Sequence, residues 1–137
     1  MFANPLPLDS AARKLLIDHI TAEIPEVVAI YAYGSRVKGG ARPDSDLDIA
    51  LLLQRGKQVS FFKLLQIQGD LEAVIGYRVE VSVLDSSLVH CKEVVSGGIV
   101  LYAADERALA EFEMRTFSDY ARLCEDRTPV VEAYTHG

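Results

Sequence analysis

The sequence predicts a single-domain α/β fold. Helical and strand-like patterns alternate along its 137 residues, and 50% of the residues are hydrophobic, which is enough apolar material for one core. No internal repeat or low-complexity linker separates the patterns. We expect one domain over residues 1–124. The mixed polar residues 125–137, which include Pro129, predict a flexible tail.

Four strands are predicted from apolar and alternating stretches. The continuous apolar run Val27–Tyr33 is typical of a buried strand that ends at Gly34, where a sharp turn can begin. A second strand begins at Asp46, and alternation places Asp46 and Asp48 on one of its faces and the intervening apolar residues on the other. The remaining two strands are Arg78–Val83, which alternates strictly, and the short stretch Ile99–Tyr102.

Helical spacing of apolar residues predicts four helices between and after these strands. They cover about Asp9–Ala22, Ser60–Val74, Ser87–Val95 and Asp105–Cys124. Asp9 or Ser10 can cap the first helix, and Gly76 can end the second. The order of helices and strands is therefore that of an α/β domain.

The last predicted helix carries two apolar stripes. One consists of Leu109, Phe112, Thr116, Tyr120 and Leu123, and the other of Ala110, Met114, Phe117 and Ala121. Either the domain covers both stripes, or the second one contacts another protein, because exposed apolar patches often mark interfaces. A homodimer through this helix is one form such a contact can take.

Charge and composition exclude several classes of protein. The net charge of −6 argues against nonspecific binding to nucleic acid and suits a basic protein partner. Cys91 and Cys124 lie far apart in sequence, as expected for a reduced cytoplasmic protein. No export signal and no apolar run of about 18 residues is visible, so we expect no membrane association. The three histidines lack the spacing of zinc ligands, and we expect them to be structural or surface residues.

The main chemical signal is Gly34-Ser35 followed, after residues 36–45, by Asp46-Leu47-Asp48. Two strand positions span about 6.6 Å, so the two carboxylates can share a pair of divalent ions about 3.5–4 Å apart. Magnesium suits carboxylate and phosphate oxygens. Gly34 lets the backbone approach a phosphate, and Ser35 adds a hydroxyl and an N–H donor. The alternative is an ordinary turn after Pro43.

Glu80 is the candidate for a third carboxylate. It lies in the middle of the polar face of the strand Arg78–Val83. In two-metal nucleotidyl transfer, a third acid near the first ion can bind that ion or accept the proton of the attacking group. The alternative is that this polar face simply meets water.

With these motifs the chain resembles the minimal nucleotidyltransferases of the DNA polymerase β-like superfamily, and among them the MntA-type antitoxins of HEPN/MNT toxin–antitoxin pairs. The resemblance rests on Tyr33-Gly34-Ser35-Arg36, Arg42-Pro43-Asp44-Ser45-Asp46-Leu47-Asp48 and Arg78-Val79-Glu80-Val81, with a weaker echo over Val94–Tyr102. It implies a small mixed sheet backed by helices.

The resemblance also implies a function. Gly34 and Ser35 would hold the triphosphate of ATP, and Asp46 and Asp48 would hold magnesium. The activity it implies is transfer of AMP to a tyrosine of a partner HEPN ribonuclease, which neutralises that toxin. Three cations in the intervening loop are candidates for steadying pyrophosphate: Arg36, Lys38 and Arg42.

Glu80 departs from the family pattern, which usually has aspartate at this position. Glutamate is one methylene longer than aspartate, and displacing a catalytic group by about 1 Å can lower the rate about 100-fold. Two other interpretations therefore stay open. One is an antitoxin that neutralises its toxin by binding alone, and the other is a nucleotidyltransferase with a small-molecule acceptor.

Overall fold

The computed structural model describes residues 10–34, 37, 46–76, 78–85 and 87–136, with side chains as far as residue 125. Its elements, in chain order, are α1 (Ser10–Glu23), β1 (Val27–Tyr33), β2 (Leu47–Leu53), α2 (Phe61–Ile75), β3 (Val79–Val83), α3 (Leu88–Gly97), β4 (Ile99–Ala103) and α4 (Glu106–His136). The α/β order predicted from the sequence is confirmed.

The four strands form one mixed sheet in the order β3-β2-β1-β4. β1 is antiparallel to both β2 and β4, whereas β2 and β3 are parallel. Parallel neighbours need a crossover connection, and α2 supplies it between β2 and β3. The mixed sheet implied by the family resemblance is therefore present, and β2 lies in its interior.

Helices cover both faces of the sheet, so the strands alternate between two apolar layers. On one face Leu47, Ile49 and Leu51 of β2 join the core beneath α1 and α2. On the other face Ala50 and Leu52 join the core beneath α3 and α4. Because side chains alternate along a strand, Asp48 lies on the second face, which it shares with Ala50.

Local capping explains where the helices next to the sheet begin and end. The Ser60 hydroxyl accepts a hydrogen bond from the Lys63 N–H at 3.1 Å at the start of α2. The Ser87 hydroxyl accepts one from the His90 N–H at 3.3 Å at the start of α3. Gly76, with φ of 91°, ends α2 in the left-handed region, as the sequence predicts.

Most of the predicted helix and strand boundaries differ from the observed ones by one or two residues, and the largest difference is at the end of α4. β2 begins at Leu47 and not at Asp46, because the Leu47 N–H donates to the Arg78 carbonyl at 2.9 Å and starts the pairing with β3. α4 continues to His136, beyond the predicted end at Cys124. Pro129 suggested an earlier end because proline usually interrupts a helix. The flexibility of residues 125–137 stays a prediction.

α4 is attached to the sheet along one of its two stripes. Leu109 and Thr116 are buried, and the Tyr31 hydroxyl donates a 2.7 Å hydrogen bond to Glu113 Oε1. On the second stripe Met114 is 72% exposed and Phe117 is 45% exposed. The domain therefore leaves the second stripe uncovered. Among the described residues, no helix is both long and apolar enough to cross a membrane.

Candidate active site

Asp48 lies where three strands bring site residues side by side. In the sheet register its Cα is paired with Tyr33 of β1 on one side and with Glu80 of β3 on the other. Gly34 directly follows Tyr33. The order across the sheet is therefore Gly34, Asp48, Glu80, and the edge strand β3 carries the last of them.

Gly34 and Asp48 are in direct contact, and that contact requires glycine. Gly34 has a φ of 86°, in the region that other residues rarely adopt. A side-chain carbon at this position would lie 2.1 Å from Asp48 Oδ2. The absence of a side chain therefore lets the carboxylate pack against the backbone of the turn. The close approach seen here is that of Asp48, and the approach of a phosphate to Gly34 stays a prediction.

Glu80 lies beside Asp48 in the sheet register. The two residues are register partners in the parallel pair β2 and β3, and, after burial, the charge of Glu80 is one cause of the raised pKa of Asp48. Glu80 is otherwise exposed. Glu80 therefore acts electrostatically on Asp48 in addition to meeting water.

The surroundings of Asp48 disfavour the ionised form of its carboxyl group. Burial, followed by the charges of Glu80 and Asp46, raises its pKa from the usual 3.8 to about 6. Clustered carboxylates need either a shared proton or a cation. The donor set of hard oxygen ligands fits magnesium, which is held by carboxylates together with substrate phosphates.

Asp46 is near this pair but is not drawn into it. It directly precedes β2, its side chain is 38% exposed, and its Oδ1 lies 3.8 Å from Nε of Arg78. An ion pair this exposed contributes little stability. The structure thus brings Asp48 and Glu80 together and leaves Asp46 at the rim, where it contributes charge to Asp48.

Four predicted residues lie outside the described part of the chain. They are the nucleotide-binding candidates Ser35 and Arg36 and the loop cations Lys38 and Arg42. Their roles stay predictions.

The structure adds neighbours that the sequence analysis did not single out as site residues. On the same face as Asp48, the Tyr33 hydroxyl lies 3.5 Å from Ser82 Oγ, which lies 3.4 Å from His90 Nε2. Burial, and more weakly the charges of Asp48 and Glu80, raise the pKa of Tyr33. One signal was available: Ser82 is two residues after Glu80 and so had to share its face. The contact of His90 with Ser82 depends on how α3 packs on the sheet, so the local sequence could not predict it.

Two other features lie away from the carboxylates. His19, Glu23 and Asp70 have ligand atoms within 4.8 Å of one another, and among the described side chains this is the one group of that kind. It already consists of two pairs, His19 with Asp70 at 3.0 Å and Glu23 with Lys63, which join α1 to α2 on the opposite face of the sheet.

A cleft of about 910 Å³ opens at the other end of the strands, beneath α4, with Val28, Leu52 and Phe112 among its walls. None of the three carboxylates lines it. Its size does not identify it as the site, because the glycine turn and the paired acids lie at the opposite ends of β1 and β2.

Comparisons with known proteins bear on the family and the fold of the chain. The model of the polymerase β nucleotidyltransferase family matches residues 16–107. A comparison with curated proteins gave no match.

Three solved structures are similar to the chain in fold. The first is a toxin–antitoxin with AMP-PNP, 24% identical, with a TM-score of 0.76 over 90% of this chain and 98% of that one. The second is a tri-AMPylated HEPN toxin from Shewanella oneidensis in complex with an MNT antitoxin, 22% identical, with a TM-score of 0.74 over 93% and 99% of the two chains. The third is the toxin–antitoxin MntA-HepT, 22% identical, with a TM-score of 0.73 over 93% and 99%.

Proposed function

The chain belongs to the polymerase β nucleotidyltransferase family, and from that premise we propose that it is a magnesium-dependent adenylyltransferase and the antitoxin of a toxin–antitoxin pair. Its donor is ATP, and its acceptor is a tyrosine hydroxyl of a HEPN-type ribonuclease. The observation that carries this proposal is the position of Asp48, which packs against Gly34 on one side and pairs with Glu80 on the other.

Asp46, Asp48 and Glu80 are the residues that would hold the metal. Magnesium, when bound, would neutralise charge on the transferring phosphate and on the leaving pyrophosphate. The raised pKa of Asp48 supports this assignment, because it reflects negative charge that a cation would relieve. Gly34 and Ser35 would seat the β- and γ-phosphates on backbone and hydroxyl donors.

Glu80 would take the proton in the transfer step. The tyrosine oxygen forms a bond to the α-phosphorus of ATP as the bond from that phosphorus to the bridging oxygen breaks. The phenolic proton passes to the Glu80 carboxylate, and pyrophosphate leaves. The register pairing of Glu80 with Asp48 supports a role in catalysis, because register partners on neighbouring strands carry their side chains on the same face of the sheet.

Two observations support a protein acceptor. The three similar structures are toxin–antitoxin assemblies, one with AMP-PNP and one with a tri-AMPylated HEPN toxin. In this chain, Met114 and Phe117 leave an apolar stripe of α4 uncovered on an acidic domain. That surface suits a protein partner. A homodimer through α4 would compete for the same stripe.

The test is transfer of label from α-³²P-ATP, with magnesium, to the co-expressed protein encoded next to this chain. We expect the wild type to label that protein and the double variant Asp46→Ala plus Asp48→Ala to lose the label. Asp18→Ala, on the exposed side of α1, is the matched control and should retain it. Growth of cells that express the partner reports neutralisation in parallel.

Two results would contradict the proposal. Neutralisation by the double variant, with no label transferred by the wild type, would leave an antitoxin that acts by binding alone. Label on a small molecule and never on protein would instead identify a small-molecule acceptor.

A further inference from the structure

A polar shelf lies on the Asp48 face of the sheet, one step further along the strands. We define it by Tyr33 of β1, Ser82 of β3 and His90 of α3. The Tyr33 hydroxyl is 3.5 Å from Ser82 Oγ, and Ser82 Oγ is 3.4 Å from His90 Nε2. The rings of Tyr33 and His90 meet edge to face with centroids 5.5 Å apart.

The sheet register places this shelf beside the paired acids. Tyr33 is the register partner of Asp48, and Ser82 follows Glu80 by two residues on the same face. To meet Ser82, the Tyr33 side chain must cross β2, and the register partner of Ser82 on β2 is the small residue Ala50. All three shelf residues are only partly buried. A ligand at the carboxylates can therefore meet them.

The order across the sheet indicates which part of the reaction the shelf faces. In phosphoryl transfer the attacking and leaving oxygens lie roughly in line. If the Gly34 turn holds the leaving phosphates, the attacking group must approach from the side of Glu80 and the edge strand β3. Ser82 and His90 lie on that side.

Resting on the proposed function, we infer that the shelf of Tyr33, Ser82 and His90 seats the aromatic hydroxyl of the acceptor and positions it beside Glu80. Two hydroxyl groups and an imidazole offer both donors and acceptors to a phenol. The exposed parts of the His90 and Tyr33 rings offer edge-to-face contact to its ring. The competing explanation is that these residues only fasten α3 to the sheet.

Steady-state labelling separates the two explanations, because residues that only fasten α3 to the sheet should not change the KM for the protein partner in a variant that keeps its fold. We would measure the KM for the partner and, separately, the affinity for ATP with magnesium, in His90→Ala and Ser82→Ala. His19→Ala, on the opposite face, is the matched control. We expect about a tenfold fall in kcat/KM for the partner in each shelf variant, as for loss of one hydrogen bond, with ATP affinity unchanged.

His90→Gln guards against a folding defect, because it retains a hydrogen-bonding group towards Ser82 but lacks the ring. We expect it to keep the wild-type melting temperature and still raise the KM for the partner. Unchanged kcat/KM in the shelf variants, or a parallel loss of ATP affinity, would overturn the inference while leaving the proposed function intact. A wild type that labels no protein would instead refute both.

Discussion

Replacing Asp48 with asparagine should make the metal-free protein more stable. Asparagine has the same shape as aspartate and removes the charge that the site disfavours. Burial and the neighbouring acids raise the pKa of Asp48 to about 6 from the usual 3.8, a shift of about two units. At 1.36 kcal/mol per unit, the ionised side chain costs the folded state at most about 3 kcal/mol. Since Asp48 is partly exposed and solvent screens the charge, we expect about 1–2 kcal/mol.

The pH dependence of this stability difference follows from proton linkage. The folded protein binds this proton more tightly than the unfolded chain, so the cost is fully present above pH 6. It falls as the pH drops through 6 and vanishes below the unfolded pKa near 3.8. The stability advantage of Asp48→Asn should therefore be largest at pH 7.5 and absent near pH 3.5.

Thermal unfolding in EDTA measures this difference. At pH 7.5 we expect Asp48→Asn to melt roughly 3–8 °C above the wild type. Asp18→Asn, at an exposed position of α1, is the control and should change little. Adding magnesium should raise the melting temperature of the wild type more than that of Asp48→Asn, because the ion stabilises only the state that binds it. A variant no more stable than the wild type at pH 7.5, or one with the same advantage at pH 3.5, would refute the electrostatic reasoning.

Three further variants test neighbouring contacts. Gly34→Ala should abolish label transfer and destabilise the fold by about 1–3 kcal/mol in chemical denaturation, since its side chain meets Asp48 Oδ2 at a positive φ; retained transfer would contradict the close packing. Tyr31→Phe should cost about 1.5–3 kcal/mol of unfolding free energy because it removes the hydrogen bond to Glu113, whereas Glu113→Gln, which keeps an acceptor, should cost less; equal costs would be evidence against that bond. Glu80→Gln should lower the pKa of Asp48 in an NMR titration of its carboxyl carbon, and an unchanged pKa would mean that the two groups are not neighbours.

Local pattern alone was sufficient for most of the fold. The apolar run Val27–Tyr33 forms β1 with those bounds, and Gly76 ends α2, because strand burial and helix capping depend on nearby residues. The start of β2 could not be placed as well. In its first pairing hydrogen bond the Leu47 N–H donates to the carbonyl of Arg78, a residue distant in sequence. The reach of α4 past Pro129 has no local signal that we recognise.

Part of the candidate site could likewise be predicted from local pattern. The spacing of Gly34, Asp46 and Asp48, and the alternation around Glu80, were visible in the sequence because period-2 geometry decides which side chains share a face. The sequence by itself therefore determined the family and the face of the sheet that carries the acids.

Only the tertiary structure decided which groups meet. Strand register paired Asp48 with Glu80, and Gly34 at the end of β1 lies against the same carboxylate. Packing of α3 on the sheet placed His90 beside Ser82, and packing of α4 left Met114 exposed. These contacts join residues far apart in the chain. They follow from the register of the strands and the docking of the helices, which no local pattern encodes.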